Sequence, residues 1–531
     1  MDYIKKKLNS REASKNPFKD NLESDEEYKE RWFSIYVIYF TTFLMSLGFS
    51  IVVTGVWPYL DKLDPTAGKP FMGYVVGANP FGQMLFSPLL GWWSNKLGSI
   101  RMPLLVTLAV FAIASSVYSS LELFTSYRKY WMLGARFLVG VSSGNVAACS
   151  SYVSAATRVS ERRKAVSMVS LAQVLGFVVG PAVQAAVVPF GDEGFWLIQD
   201  RLRLNMYTVA GWFNVFLSVI NFCLFLPMVF NEHKIAAKEA MMLQGVKTEK
   251  ETWKSVKVDK AATLTLILLN FVLIFNFMIM ETLGTSVAMD QFAWTKGQAI
   301  SFMGVLLSVG ALLTCACFVM INPLCKRFSE AQVMIWGGFL LMAIGRICYL
   351  PWGSAPPTTI TDMEKLDILK ELQMCKLGTN TTNCDLIGEP VGCPVQSQPW
   401  CADENKIVVA QFVIGSLIGT LGFPVGLTLL QTIFSKLLGS RPQGTWMGIM
   451  TGSGSLSRIL GPVLMMQIYT SYGPSWTFGV TSCMLILSVV WLYYISDSLV
   501  VEPKETKDVE MEALNEEKSE KIDEKLDNSI K

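Results

Sequence analysis

The chain has 531 residues, of which 51% are hydrophobic and 17% charged, with a mean hydropathy of +0.38 and a formal net charge of +2. A soluble protein normally carries about 25% charge, so the deficit points to lipid as the solvent, and the near-neutral balance gives no pointer to a nucleic-acid partner. The single histidine, His233, sits in a polar stretch, which argues against imidazole-based catalysis and a histidine-rich metal site.

Residues 1–32 are rich in charges of both signs and read as a disordered tail with no cleavable signal peptide. A bilayer core of roughly 30 Å takes about 20 apolar residues per helix. Twelve stretches meet that demand: 33–56, 71–93, 102–121, 131–154, 166–188, 206–230, 262–283, 299–321, 331–351, 407–433, 444–468 and 475–496. The expected fold is therefore an all-α membrane protein with twelve transmembrane helices. A basic connection, 231–261, divides them into two six-helix halves, 33–230 and 262–496, and residues 497–531 read as a second disordered tail.

Basic residues set the expected orientation. Lys96 and Arg101, then Arg158, Arg162, Arg163 and Lys164, then Lys326 and Arg327, then Lys436 and Arg441 all follow even-numbered spans, which places both termini in the cytosol. The large loop 352–406 then faces the lumen. It carries a glycosylation sequon at Asn380-Thr381-Thr382 and four cysteines, Cys375, Cys384, Cys393 and Cys401, whose three possible pairings the sequence leaves open. Disulfides there require an oxidising compartment.

The halves resemble one another. Ser160 before span five and Ser440 before span eleven match in context, as do Gly180-Pro181 and Gly461-Pro462. A duplicated six-helix unit is what alternating-access transporters use, with a site between halves near the midplane.

Three local motifs carry a family resemblance. Gly176-Phe177-Val178-Val179-Gly180-Pro181 is similar to the fifth-helix motif of the major facilitator superfamily. Gly91 through Gly98 resembles that superfamily's motif between helices two and three, departing at Asn95, where the family usually has an aspartate. Arg136-Phe137-Leu138-Val139-Gly140 resembles the fourth-helix motif, whose arginine commonly faces the transport path. Longer stretches resemble one endolysosomal subfamily: Trp57-Pro58-Tyr59-Leu60, Glu281-Thr282-Leu283, Ala293-Trp294-Thr295, and Arg458 through Pro462. That resemblance implies an endolysosomal membrane glycoprotein for which chloride permeation is the leading assignment.

Ionisable groups at bilayer depth are costly and need a reason. Glu281 lies in an apolar stretch running from Thr263 to Ala293, with Gly284 available for a break beside it. It reads either as a proton-exchanging group facing an acidic lumen or as half of a structural pair. Asp290, nearer the loop, favours the structural reading. Arg136 and Arg458 are fixed positive charges, one in each half, suited to an anion or to locking a helix to its neighbour. Asn145, Gln173 and Asn276 are polar positions for the same cavity, although amides in membrane helices more often bridge helices. Gly140 with Gly144, and Gly176 with Gly180, read first as close helix packing.

Asn16-Pro17-Phe18 resembles a short adaptor-binding tripeptide, so trafficking adaptors are possible partners of the tails, but the motif is too brief to serve as an address. Three functions follow: a small-anion transporter needing no cofactor, a proton-coupled carrier of a neutral or organic metabolite, or a non-transporting receptor or scaffold. An enzyme is not expected, because no nucleophile–base or metal constellation is present.

Overall fold

The computed structural model describes residues 22–53, 55–64, 68–191, 194–198, 202–244, 248, 259–361, 391–396 and 398–499. Among these, nine helices are long and apolar enough to cross a membrane. The last of the nine, running to Ser496, is two rods joined at Gly473, whose φ of 83° belongs to the left-handed region that glycine enters without penalty. Gly68–Leu97 and the shorter Thr208–Leu224 supply the remaining rods of the expected twelve.

Local sequence explains where several rods start and stop. Asp259 caps span seven, its carboxylate accepting from the N–H groups of Ala261 at 2.9 Å and Ala262 at 3.2 Å. Thr295 with Gln298, and Ser329 with Gln332, form reciprocal capping boxes at the starts of spans eight and nine. Span four is interrupted at Gly144, between Arg128–Ser143 and Asn145–Ala155. In span nine, Met334–Leu340 winds as a π-helix, a widening often found at functional positions.

Three expectations need revision or extension. Span seven is one continuous helix, Lys260–Phe292, and does not break at Gly284, where a Cβ would press on the Met303 side chain at 2.3 Å. Helix packing therefore explains that glycine. The first helix starts at Asp25, inside the segment expected as a tail, and Glu23 before it is buried. In the large loop Cys393 pairs with Cys401, while Cys375, Cys384 and Asn380 lie outside the described residues.

Each half has its own apolar core, one around Leu104, Phe111 and Phe225 and another around Leu273, Phe339 and Phe434. Within the first half, spans one and five approach closely because Gly176 and Gly180 lack side chains. A Cβ at Gly176 would stand 2.6 Å from the Phe43 carbonyl, and one at Gly180 2.5 Å from Ser50 Cβ. The Ser50 hydroxyl then donates to Phe177 O at 3.0 Å, and span five carries Pro181 without a break. Gly461-Pro462, the matching pair in span eleven, meets its neighbour at an ordinary 3.6 Å from Phe275.

Candidate transport site

The two halves meet firmly on the side bearing the termini. Asn95, at the end of span two, accepts from the Gly444 N–H at 2.9 Å and donates to Thr445 Oγ1 at 3.0 Å and Pro442 O at 3.3 Å. The neutral amide thus engages the first turn of span eleven through both its oxygen and its nitrogen. Gly91 makes this approach possible, since a Cβ there would fall 2.0 Å from the Gly444 carbonyl. Gly98 closes the same helix with a φ of 65°.

Charges and hydroxyls extend the closure. Ser435 Oγ and Ser154 Oγ are 2.7 Å apart, and Arg162 donates to Ser435 O at 3.2 Å and to Ser154 O at 3.0 Å. Glu330 accepts from Lys436 Nζ at 2.8 Å and from Arg163 Nη1 at 3.0 Å, tying span five to spans nine and ten. Behind this layer Glu23 binds Arg31 at 2.8 Å and Arg158 at 2.7 Å. Burial works to raise the Glu23 carboxyl, yet the two guanidinium groups outweigh it and hold it below the usual carboxylate range. Glu239, on the short helix Ile235–Gln244, caps the Val159 N–H at 3.0 Å, and burial pushes its carboxyl up.

A further set of hydrogen bonds between the halves is made by Gln83 on span two. Its Oε1 accepts from Ser455 Oγ at 2.9 Å and from Arg458 Nη1 at 3.4 Å, while its amide donates to Ser143 O at 3.0 Å. Beyond Gln83, no hydrogen bond joins the halves among the described residues, and at Gly73 and Gly77 an added Cβ would meet open space. The hydrogen-bonded closure between the halves thus lies on the side of the termini, and among the described residues none is found toward the face of the 352–406 loop.

Arg458 reaches Gln83 across this interface, and Glu281 lies near it. Glu281 has an exposed side chain on span seven and Arg458 is half-buried on span eleven. Each acts electrostatically on the other, but no ion pair within 4 Å joins them among the described residues. A fixed guanidinium held by a neutral amide, with an accessible carboxylate opposite, can attract an anion without being neutralised by a tight salt bridge.

The other expected positions do not converge here. Arg136 is buried within the first half, its guanidinium 5.3 Å from the Phe49 ring, and is not brought beside Arg458. Asp290 accepts from Tyr469 Oη at 3.1 Å, a contact within the second half. The Asn276 amide donates to Val272 O at 3.0 Å within its own helix and its Oδ1 has no partner among the described residues, while its backbone carbonyl accepts from Arg346; the side chain itself bridges no helices. Asn145 is buried with Nδ2 unpartnered among the described residues, and Gln173 is half-buried on span five.

Sequence reasoning passed over Gln83, Glu330 and Arg346. Arg346 is buried in span nine, near Met280 Sδ at 3.9 Å and over the Tyr349 ring at 5.5 Å. A charge inside an apolar run was signal enough to notice it; nothing local distinguished Gln83.

The chain matches the family model described as Major Facilitator Superfamily over residues 38–361 and 400–523. It is 37% identical over 484 residues to major facilitator superfamily domain-containing protein 8 of Xenopus laevis, covering 90% of this chain and 94% of that protein. Among solved structures it resembles the human organic anion transporter MFSD10, with a TM-score of 0.58 and 17% identity over 87% of this chain and 99% of the other. It also resembles the E. coli fucose:proton symporter FucP, with a TM-score of 0.60 and 10% identity over 88% and 99% of the respective chains.

Proposed function

This chain belongs to the Major Facilitator Superfamily, a family of transporters, and from that premise we propose that it moves chloride or another small anion across an endolysosomal membrane. In this reading both termini are cytosolic and the halves part toward the lumen. Small anions enter from the lumen and meet Arg458, while Glu281 exchanges protons with the luminal solution and so adjusts the field at the site. The observation that carries the reading is the arrangement of Arg458. Its guanidinium rests on the neutral oxygen of Gln83, with Glu281 facing it but outside ion-pair distance. A carrier site for a neutral sugar has no evident use for such a cation, whose burial is costly.

A proton-coupled carrier of an organic solute is the second reading, and the exposed Glu281 carboxylate favours it. One experiment separates the two. Currents across enlarged endolysosomes expressing the chain are compared with those of Arg458→Gln and Glu281→Gln. Anion conduction gives a chloride-dependent reversal potential, a several-fold smaller current in Arg458→Gln, and a loss of luminal pH dependence in Glu281→Gln. Absence of current above background in wild type removes conduction and directs the search to electroneutral uptake.

A further inference from the structure

Spans seven and eleven run side by side in the same direction, and three contacts fix their register. Ser453 Oγ donates to Ile267 O at 3.3 Å, Ser457 Oγ donates to Phe271 O at 2.9 Å, and a Cβ on Gly461 would stand 3.7 Å from Phe275 O. A step of one turn on one helix is matched by one turn on the other, so Arg458 is level with Val272. Glu281 lies about nine residues further along span seven, roughly 13 Å nearer its far end. That end meets the large loop, where Gln291 Oε1 accepts from the Ile407 N–H at 2.8 Å.

Side chains on a helix lean toward its start, and Arg458 does so. The Gln83 oxygen that it reaches also accepts from Ser455, nearer the start of span eleven. The guanidinium is thus drawn away from Glu281, and no ion pair joins the two among the described residues, although each acts on the other electrostatically. Neither charge is neutralised by the protein, and a charge at bilayer depth is costly without a partner. Other ionisable groups of this half are engaged elsewhere, Arg346 with the Asn276 carbonyl and Asp290 with the Tyr469 hydroxyl.

We infer that this pair forms a bipolar site for a zwitterionic organic solute, an amino acid or short peptide, with its carboxylate on Arg458 and its ammonium on Glu281. Such a solute spans the gap that the two side chains leave between them. The arginine fork offers parallel N–H donors to a carboxylate, and the glutamate oxygens accept the ammonium protons. A monatomic anion uses Arg458 alone, a dicarboxylate is opposed by Glu281, and a neutral sugar leaves both charges unpaired. The ammonium lies nearer the large loop and the carboxylate nearer Gln83. The inference rests on the placement of the transport site proposed above, where the carboxylate takes the small anion's position, and does not require conduction.

The test uses the full-length chain in detergent at neutral pH. Glycine, γ-aminobutyrate and glycylglycine are titrated against its melting midpoint. Each is compared with its N-acetyl derivative, which lacks the cation, and its carboxamide, which lacks the anion. At least one zwitterion raises the midpoint saturably, by about 2–4 °C, and both of its derivatives bind about tenfold more weakly. Glu281→Gln lowers the affinity for the zwitterion to that of the N-acetyl form, and Arg458→Gln lowers it to that of the carboxamide. The derivative series is read on the wild type, so it decides the matter even where a variant does not fold. The proposal fails if no zwitterion shifts the wild type, or if binding survives both substitutions. It fails also if the N-acetyl form binds as tightly as its parent, a result that marks a plain anion site and leaves the anion reading standing. Zwitterion binding without a chloride current does the reverse.

Discussion

Arg458 Nη1 lies 3.4 Å from Oε1 of Gln83, and this contact joins span eleven of one half to span two of the other. The same oxygen accepts from Ser455 at 2.9 Å, so one amide serves two donors of span eleven. Gln83→Leu removes that acceptor and leaves the arginine without a protein hydrogen bond, at a cost of about 1–3 kcal/mol. The expected outcome is a lower melting midpoint together with a changed current amplitude. An unchanged midpoint shows that water or an anion already satisfies Arg458.

Closure on the terminal side depends on a neutral residue. Asn95 makes three hydrogen bonds to Pro442, Gly444 and Thr445, and Asn95→Ala forfeits them all. Gly91→Ala acts more severely, because its Cβ would meet the Gly444 carbonyl, a backbone atom that cannot rotate away. Both changes are expected to shift the protein toward opening on that side. Labelling of Ser435→Cys, buried in the closed form, by an impermeant thiol reagent reads this. A several-fold rise above the native cysteine background is expected, larger for Gly91→Ala.

Much of this architecture was legible before any coordinates. Apolar runs of span length are forced by lipid, and capping residues such as Thr295 and Ser329 mark helix starts through local chemistry alone. The Gly176 and Gly180 contact could be anticipated because close backbone approach demands small residues. What could not be read was direction. Arg136 and Arg458 look alike in sequence, each a lone cation in an apolar run, yet one is buried inside a half and the other reaches across to Gln83 of the opposite half. Rotation of a helix about its axis is set by packing partners distant in sequence, such as Gln83 for Arg458, and no local pattern encodes them. The break that Gly284 would have allowed is not used, for a related reason: a glycine that admits Met303 and one that permits a bend leave the same mark.

Glu330 is the hub of a second fastening between the halves. Its carboxylate binds Lys436 at 2.8 Å and Arg163 at 3.0 Å, with all three side chains between 16% and 19% exposed. Glu330→Gln leaves two partly buried cations facing each other, which costs about 1–3 kcal/mol, between the values for exposed and buried pairs. Closure then weakens in low salt, where the Lys436–Arg163 repulsion is least screened. The Ser435→Cys labelling rate is expected to rise in this variant and to fall back as salt increases. A salt-independent rate indicates that packing at Gly91 and Gly444 alone holds the gate.

On the opposite face, Glu404 fastens the large loop to the joint between spans eleven and twelve. Its Oε2 accepts from the Ser475 N–H at 3.2 Å, and a Cβ on Gly473 would stand 2.8 Å from that oxygen. Trp400, in the loop closed by Cys393 and Cys401, packs 5.2 Å from the Tyr469 ring, whose hydroxyl reaches Asp290. Burial pushes the Glu404 carboxyl above the usual range, and the Ser475 bond only partly opposes it. A carboxyl raised in the docked state favours docking below its ordinary value and loses that contribution as pH climbs through the raised one. The loop should therefore sit most firmly in acid and loosen toward neutrality. Hydrogen exchange over 399–407 and the first turn of span twelve, corrected for intrinsic rates, should show protection that declines in wild type as pH rises from the ordinary carboxylate range toward neutrality. Glu404→Gln should flatten that decline. If the variant retains the full pH dependence, Glu404 is not the acid that controls the loop.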